Sequence, residues 1–385
     1  MNQALSNLHP SAYPLIHMEY TDQLTAKSAK MTRLFGQFGK ECDTIYGMKK
    51  PFAYKNKLTA SFGRGKTGKL VTGDYSALKG KVFAVESYPM HDAILDKALV
   101  AVRAAANFCK YEPYNAESGR GMVRAVVLRR GVQSGQVMVI LVTGKAILPG
   151  AKNFVSKLRT LCKNQNIEVS TVVQNVNEWQ TNLILGEREK VLFGKGFIVE
   201  PFCGKTYAIS PGGYFPDNAA QTETLYKIAL KQAALSGAET VFNLYCGMGA
   251  LALTSSMYAA RILAVDSNEA SVQDGIGNAH HNGVGNIRFY AENPIDWLEG
   301  QRADGAKPDV ILLEPPRAQL DTAMLSAILD LAPNRIVYIA HSPEEQVKDI
   351  AAMVKKGYRV ASVTPVDLAP YTNYISGVIA LERTK

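Results

Sequence analysis

The chain has 385 residues, of which 47% are hydrophobic and 20% charged, with a formal net charge of +9. That length calls for two or three domains rather than a single core. The composition is that of a folded protein, with no apolar run long enough for a membrane helix, and the cationic excess favours a polyanionic partner over an acidic one.

From the N terminus, residues 1–13 lack the charged, apolar and small-residue zones of a signal peptide, so a cytoplasmic location is expected. Apolar and basic positions alternate at helical spacing over residues 21–38, and Gly39 ends the run, which predicts a helix packed on a surface. The pattern then changes. Residues 51–73 and 123–143 read as strands with Ser134-Gly135 as a hairpin turn, and helices are expected over 93–108 and 153–163, before a strand at 169–173. This predicts an α+β domain over 51–195, preceded by a helical segment over 1–50. Lys49, Lys50, Lys55, Lys57, Arg64, Lys66 and Lys69 crowd its start, a pattern that fits either a solvated face or a surface for a polyanion.

After Gly196 a strand-rich stretch and a helix over 222–235 lead into a regular alternation. Residues 241–245, 261–265, 287–290, 310–313 and 336–339 form successive strands, and 358–364 and 375–381 close the sheet. Strands alternating with helices imply parallel pairing through crossover helices, so 196–385 is expected to be an α/β, Rossmann-like domain. The five cysteines, at 42, 109, 162, 203 and 246, form no CxxC pair and have no histidine spacing suited to zinc, so free thiols and no metal are expected.

The loops after those strands carry the chemistry. Asn243-Leu244-Tyr245-Cys246-Gly247-Met248-Gly249 follows an apolar strand and opens a helix, where Gly247 and Gly249 let the backbone approach a ligand closely. Asp266 ends the next strand, at the distance where an acid binds ribose hydroxyls, Glu292-Asn293 follows the third, and Glu314-Pro315-Pro316-Arg317 ends the fourth. All lie at the carboxyl edge, where such sheets bind ligands. A dinucleotide is the alternative to an adenosyl ligand, but the loop lacks the third glycine of the dinucleotide fingerprint, so an adenosyl ligand without a pyrophosphate fits better.

In order and spacing, the segments 244–249, 312–317 and 337–343 resemble the RNA (uracil-C5) methyltransferases. The similarity extends to Phe52-Ala53-Tyr54-Lys55-Asn56-Lys57, to 119–142 and to the segment from Ile209-Ser210-Pro211 to Gln221, and so spans nearly the whole chain. It implies a class I methyltransferase domain that binds S-adenosyl-L-methionine, preceded by a central domain for RNA, either rRNA or tRNA. On the cofactor side it implies Asn243, Tyr245, Gly247, Gly249, Asp266, Glu292, Glu314 and Tyr214, and on the RNA side Lys55, Lys57, Arg124 and Arg317.

Members of that family add a cysteine thiolate to C6 of uracil, so that C5 can attack a methyl group, and a glutamate then removes the C5 proton. By resemblance the cysteine position is His341 and the glutamate position is Ser376. The acid at the start of the glycine loop is Asn243, a glutamine after paired aromatics is Pro216, and the aspartate before the two prolines is Glu314. Tyr13 and Tyr88 stand at two places where several members hold iron-sulfur ligands, and the single leftover Cys42 cannot hold a cluster, so none is expected. His341, Ser376 and Glu314 are thus the catalytic candidates. Cys246 belongs to the glycine loop, Cys203 is the other thiol to test, and His280 and His281 fit a helix end better than a site. Three readings follow: RNA methyl transfer without the covalent step, a non-catalytic RNA-binding protein on the same fold, and a small-molecule methyltransferase, which the basic central domain disfavours.

Overall fold

The computed structural model describes residues 13–76, 79–115, 117–179 and 183–384, so the expectation for the first twelve residues lies outside the described chain. The described residues divide into two compact units, one of 52–201 and 207–212, the other of 13–51, 202–206 and 213–384. Among them, no helix is long and apolar enough to cross a membrane.

Helix α1, Tyr20–Phe35, belongs to the second unit and is not part of a segment of its own. Its buried residues Gln23, Lys27, Met31 and Phe35 recur every four positions. That stripe drops Met31 and Phe35 into the core of the second unit. Lys27 is held there by charge: its Nζ lies 2.8 Å from Asp367 Oδ1, with the two side chains 3% and 0% exposed. The hydroxyl of Tyr20 donates to the other Asp367 oxygen at 3.0 Å. Because these partners lie some 340 residues apart, the local pattern showed an amphipathic helix but not what it packs on.

The first unit is a seven-stranded sheet. Its strands are β1 Lys57–Arg64, β2 Leu70–Ser76, β3 Lys81–Ala84, β4 Val123–Arg130, β5 Val137–Thr143, β6 Val169–Val176 and β7 Arg188–Phe193, in the order β3-β2-β1-β4-β5-β6-β7. Only β5 and β6 pair in parallel, and the helix α3, Ala151–Lys163, makes the crossover that parallel pairing requires. Central β5 is buried at every position, which is why it reads as an unbroken apolar run. Helix α2, Ala93–Phe108, starts at Asp92, whose carboxylate caps the Ile94 amide, and its alanine-rich face joins the same core. Strands β3 and β7 are absent from the sequence reading because they are exposed edge strands that bury no alternating face.

Strands β8, Ile198–Phe202, and β9, Lys205–Ile209, make a two-stranded hairpin ahead of α4, Ala219–Ala233. The second unit then alternates: β10 Thr240–Leu244, α5 Ala250–Ser255, β11 Arg261–Asp266, α6 Glu269–His281, β12 Ile287–Ala291, α7 Pro294–Ala303, β13 Val310–Leu313, α8 Thr322–Leu331, β14 Arg335–Ala340 and α9 Pro343–Lys355. The last two strands are β15 Tyr358–Val366 and β16 Ser376–Arg383. The sheet order is β12-β11-β10-β13-β14-β16-β15, with β16 antiparallel to both neighbours. This is the class I methyltransferase arrangement. The order reverses at β10, which pairs with β11 on one side and β13 on the other, and the loops beyond their carboxyl ends open the crevice where such sheets bind ligands.

Candidate active site

The glycine loop turns through the left-handed region at Tyr245, φ +58°, at Gly247, +54°, and at Gly249, +74°. Glycine is the residue that takes such a φ without strain. Space demands it as well: a Cβ on Gly249 would sit 2.5 Å from Phe289 Cε1, and one on Gly247 would sit 3.2 Å from Tyr214 Cδ1. The ring of Tyr214, 54% exposed, therefore lies against the loop, and its backbone amide is anchored to Ser271 Oγ at 2.9 Å.

Asp266 stands at the end of β11 beside this loop. One of its oxygens accepts from the Gly247 amide and the other from the Asn268 amide, each at 2.8 Å. Asn243, 1% exposed in β10, donates a long 3.4 Å bond from Nδ2 to the Leu312 carbonyl, and its Oδ1 has no partner among the described residues. A buried amide oxygen without a partner is a standing energetic cost. Unused acceptor capacity on Asn243, the Asp266 carboxylate beside the strand where the order reverses, and two glycines that let the backbone come close are features an adenosyl group needs, so these residues fit S-adenosylmethionine. Glu292 is exposed after β12, with its amide on the Asp266 carbonyl at 3.1 Å.

The three catalytic candidates meet. Glu314 follows β13 and His341 follows the adjacent β14, while the β14/β16 register pairs Ala340 with Gly377 and so brings Ser376 beside His341. His341 Nε2 lies 3.0 Å from Glu314 Oε1, and its Nδ1 lies 3.1 Å from Ser376 Oγ. The other Glu314 oxygen accepts the hydroxyl of Tyr226 at 3.0 Å. Burial, and then the neighbouring Glu314, push that phenol well above its usual range, so Tyr226 stays a donor. With Glu314 ionised, Nε2 carries the histidine proton and donates it, which leaves Nδ1 to accept from the Ser376 hydroxyl. The side chains of Glu314 and His341 are 14% and 18% exposed and Ser376 is 4% exposed, so the hydrogen-bonded chain is largely sheltered from solvent.

Tyr226 was not foreseen from the sequence, nor was Gln346, which is fully buried on α9. Gln346 accepts from the Ser342 amide at 2.8 Å and donates to the Pro316 carbonyl at 3.0 Å, tying the loop of His341 to the loop of Glu314. The available signal was a polar residue at a core position of an amphipathic helix, which demands a partner. Tyr245 is partly buried, and burial raises its phenol. Arg317 is exposed, with its guanidinium carbon 4.1 Å from the Tyr374 ring centroid. Neither alternative thiol is set up as a nucleophile: burial raises Cys246 well above its usual range and pushes Cys203 up to about 12. His280 and His281 occupy the last turn of α6, a helix end rather than the site.

The remaining RNA-side candidates lie in the first unit. Lys55 bridges His91 just before β1, and Lys57 opens β1. Arg124 is engaged within the protein. Its guanidinium donates to the carbonyls of Asn177 and Trp179, both at 2.7 Å, and lies over the Tyr114 ring.

The sequence profile described as tRNA (uracil-5-)-methyltransferase matches residues 132–384. A protein of Lactiplantibacillus plantarum named as an uncharacterized RNA methyltransferase is 35% identical over 374 residues, which cover 96% of this chain and 81% of that one. Another of that description, from Halalkalibacterium halodurans, is 32% identical over 375 residues, covering 96% and 80%. The crystal structure of the Pyrococcus abyssi tRNA (uracil-54, C5)-methyltransferase in complex with S-adenosyl-L-homocysteine shares the fold, with a TM-score of 0.76 over 95% of this chain and 84% of that one, at 23% identity. The chain belongs to the tRNA (uracil-5-)-methyltransferase family of S-adenosylmethionine-dependent RNA methyltransferases.

Proposed function

We propose, from that membership and from the geometry of the site, that this protein methylates a cytoplasmic rRNA or tRNA at a nitrogen of a base, without the covalent step that uracil C5 demands. The carrying observation is the hydrogen-bonded chain from Ser376 through His341 to Glu314. C5 is a poor nucleophile and needs a thiolate at position 341 and a carboxylate at 376, where this chain has histidine and serine. A base nitrogen needs only orientation and removal of its proton.

Asn243, Asp266 and the glycine loop with Tyr214 would hold S-adenosylmethionine, which when bound would supply an electrophilic methyl group, with a neutral thioether as the leaving group. The protein's own part is proton transfer. A target N–H placed on Ser376 Oγ gives its proton to that oxygen as the nitrogen lone pair forms the new N–C bond. Ser376 passes its original proton to His341 Nδ1, and the imidazolium so formed is stabilised by Glu314, itself fixed by Tyr226. Arg317, with Lys55 and Lys57, serves the RNA.

A second reading, a non-catalytic RNA-binding protein, is favoured by the loss of both family side chains at 341 and 376. Calorimetric titration with S-adenosylmethionine, followed by labelled-methyl transfer to total RNA, decides between them. Micromolar binding and transfer that His341→Ala abolishes support methylation. No binding at millimolar cofactor, or transfer indifferent to His341→Ala, refutes it.

A further inference from the structure

We propose that the first unit carries a second RNA contact, a groove for the phosphodiester backbone of a single strand, built on the exposed face of α3. The proposal rests on the RNA reading above but not on methyl transfer. The groove has a volume of about 1210 Å³ and runs between α3, the start of β6 and the end of β7.

Its charge is organised by helix geometry. Lys152, Arg159 and Lys163 line the groove at positions i, i+7 and i+11, which fall on one face of a helix, and they span about 16 Å at the 1.5 Å rise per residue. Lys195, just past β7, adds a fourth cation, while Glu168 is the one carboxylate among the lining residues. All four cations are exposed, and among the described residues none is in an ion pair. The guanidinium carbon of Arg159 lies 4.0 Å from the centroid of the Phe193 ring. Stacking of that kind holds the planar fork in place before a phosphate arrives, so less side-chain entropy is lost on contact. An unpaired row of cations with an aromatic beneath it is what tracks a single-stranded backbone without reading its sequence, and neutralising those cations releases counterions from the RNA.

The test is fluorescence anisotropy of a labelled, mixed-sequence single-stranded RNA with the full chain across a salt series. The groove variant is Lys152→Gln/Lys163→Gln/Lys195→Gln. The charge-matched control is Lys97→Gln/Lys110→Gln/Lys145→Gln, three exposed positions of the same unit that neither line the groove nor belong to the basic run at its start. The groove variant is expected to bind at least about tenfold more weakly at low salt, with the log–log salt slope flattened by about 2, at ~0.7 per single-strand contact. The control is expected to stay within about twofold of the wild type. Equal losses in both variants, a loss confined to the control, or no RNA binding by the wild type overturns the groove. Groove-dependent binding without methyl transfer keeps the groove and removes the catalytic reading, whereas wild-type-like binding and transfer by the groove variant do the reverse. Thermal melting of each variant separates lost contacts from lost folding.

Discussion

Glu314→Gln is expected to reverse the proton chain while leaving its geometry in place. The buried Tyr226 hydroxyl needs an acceptor, and at 3.0 Å the carbonyl oxygen of the new amide supplies it. The amide nitrogen then faces His341 Nε2, across what was a 3.0 Å contact to a carboxylate oxygen. Two donors cannot share that contact, so the imidazole proton moves to Nδ1, which must donate to Ser376 Oγ across 3.1 Å rather than accept from it. Ser376 loses its proton acceptor, and the imidazolium loses its counter-charge. A hydrogen bond to a charged group is worth about 1.5–3 kcal/mol, which corresponds to roughly 10- to 150-fold in the rate of the chemical step. Single-turnover transfer of a labelled methyl group measures that loss, with cofactor affinity by calorimetry as the control that should not move. Nitrogen-15 spectra of the imidazole read the tautomer directly: Nε2–H in the wild type, Nδ1–H in the variant. A wild-type ring already protonated at Nδ1 alone, or a variant that transfers at the full rate, would falsify this account of the site.

Three further outcomes are expected. Asp266→Asn should weaken S-adenosylmethionine binding at least tenfold, about 1.4 kcal/mol on the scale of charge-assisted hydrogen bonds, and unchanged affinity in calorimetry would take Asp266 out of the cofactor site. Asp367→Ala strands Lys27, whose ammonium burial already disfavours, and should destabilise the second unit by about 3–5 kcal/mol, whereas Lys27→Met/Asp367→Leu removes both charges but loses the acceptor of the Tyr20 hydroxyl, so it should cost less, about 1–3 kcal/mol; denaturant midpoints of the two variants check the difference. His91, with its Nδ1 buried and unpartnered among the described residues, has its pKa pushed down to about 3 by burial first and by Lys55 second. Its folded value lies below its unfolded one, so stability present above pH 6.5 is lost as pH falls toward 3, by up to about 5 kcal/mol at 1.36 kcal/mol per unit. His91→Leu should flatten the stability profile of the first unit in that window, and a profile as steep as the wild type's would mean that another group titrates there.

Much of the second unit was legible from local pattern, because strands buried on both faces read as short apolar runs whatever they pair with, as in fully buried β13. The turn of the glycine loop and the placement of Asp266 were legible for a related reason: both depend on local backbone conformation and on following a strand, and these conditions are written in adjacent residues. Helix α2 was legible because its apolar face lies within sixteen consecutive residues. The edge strands β3 and β7 were not, since an exposed edge buries too little to impose alternation. Nor was the place of α1, whose buried Lys27 acquires meaning only beside Asp367. The resemblance marked positions 314, 341 and 376 one by one, but the sheet alone joins them. Parallel pairing of β13 with β14 and antiparallel insertion of β16 bring three residues from separate parts of the chain into one hydrogen-bonded row centred on His341. Such pairing is decided by packing across the whole domain, over separations at which the order of residues along the chain exerts no local constraint.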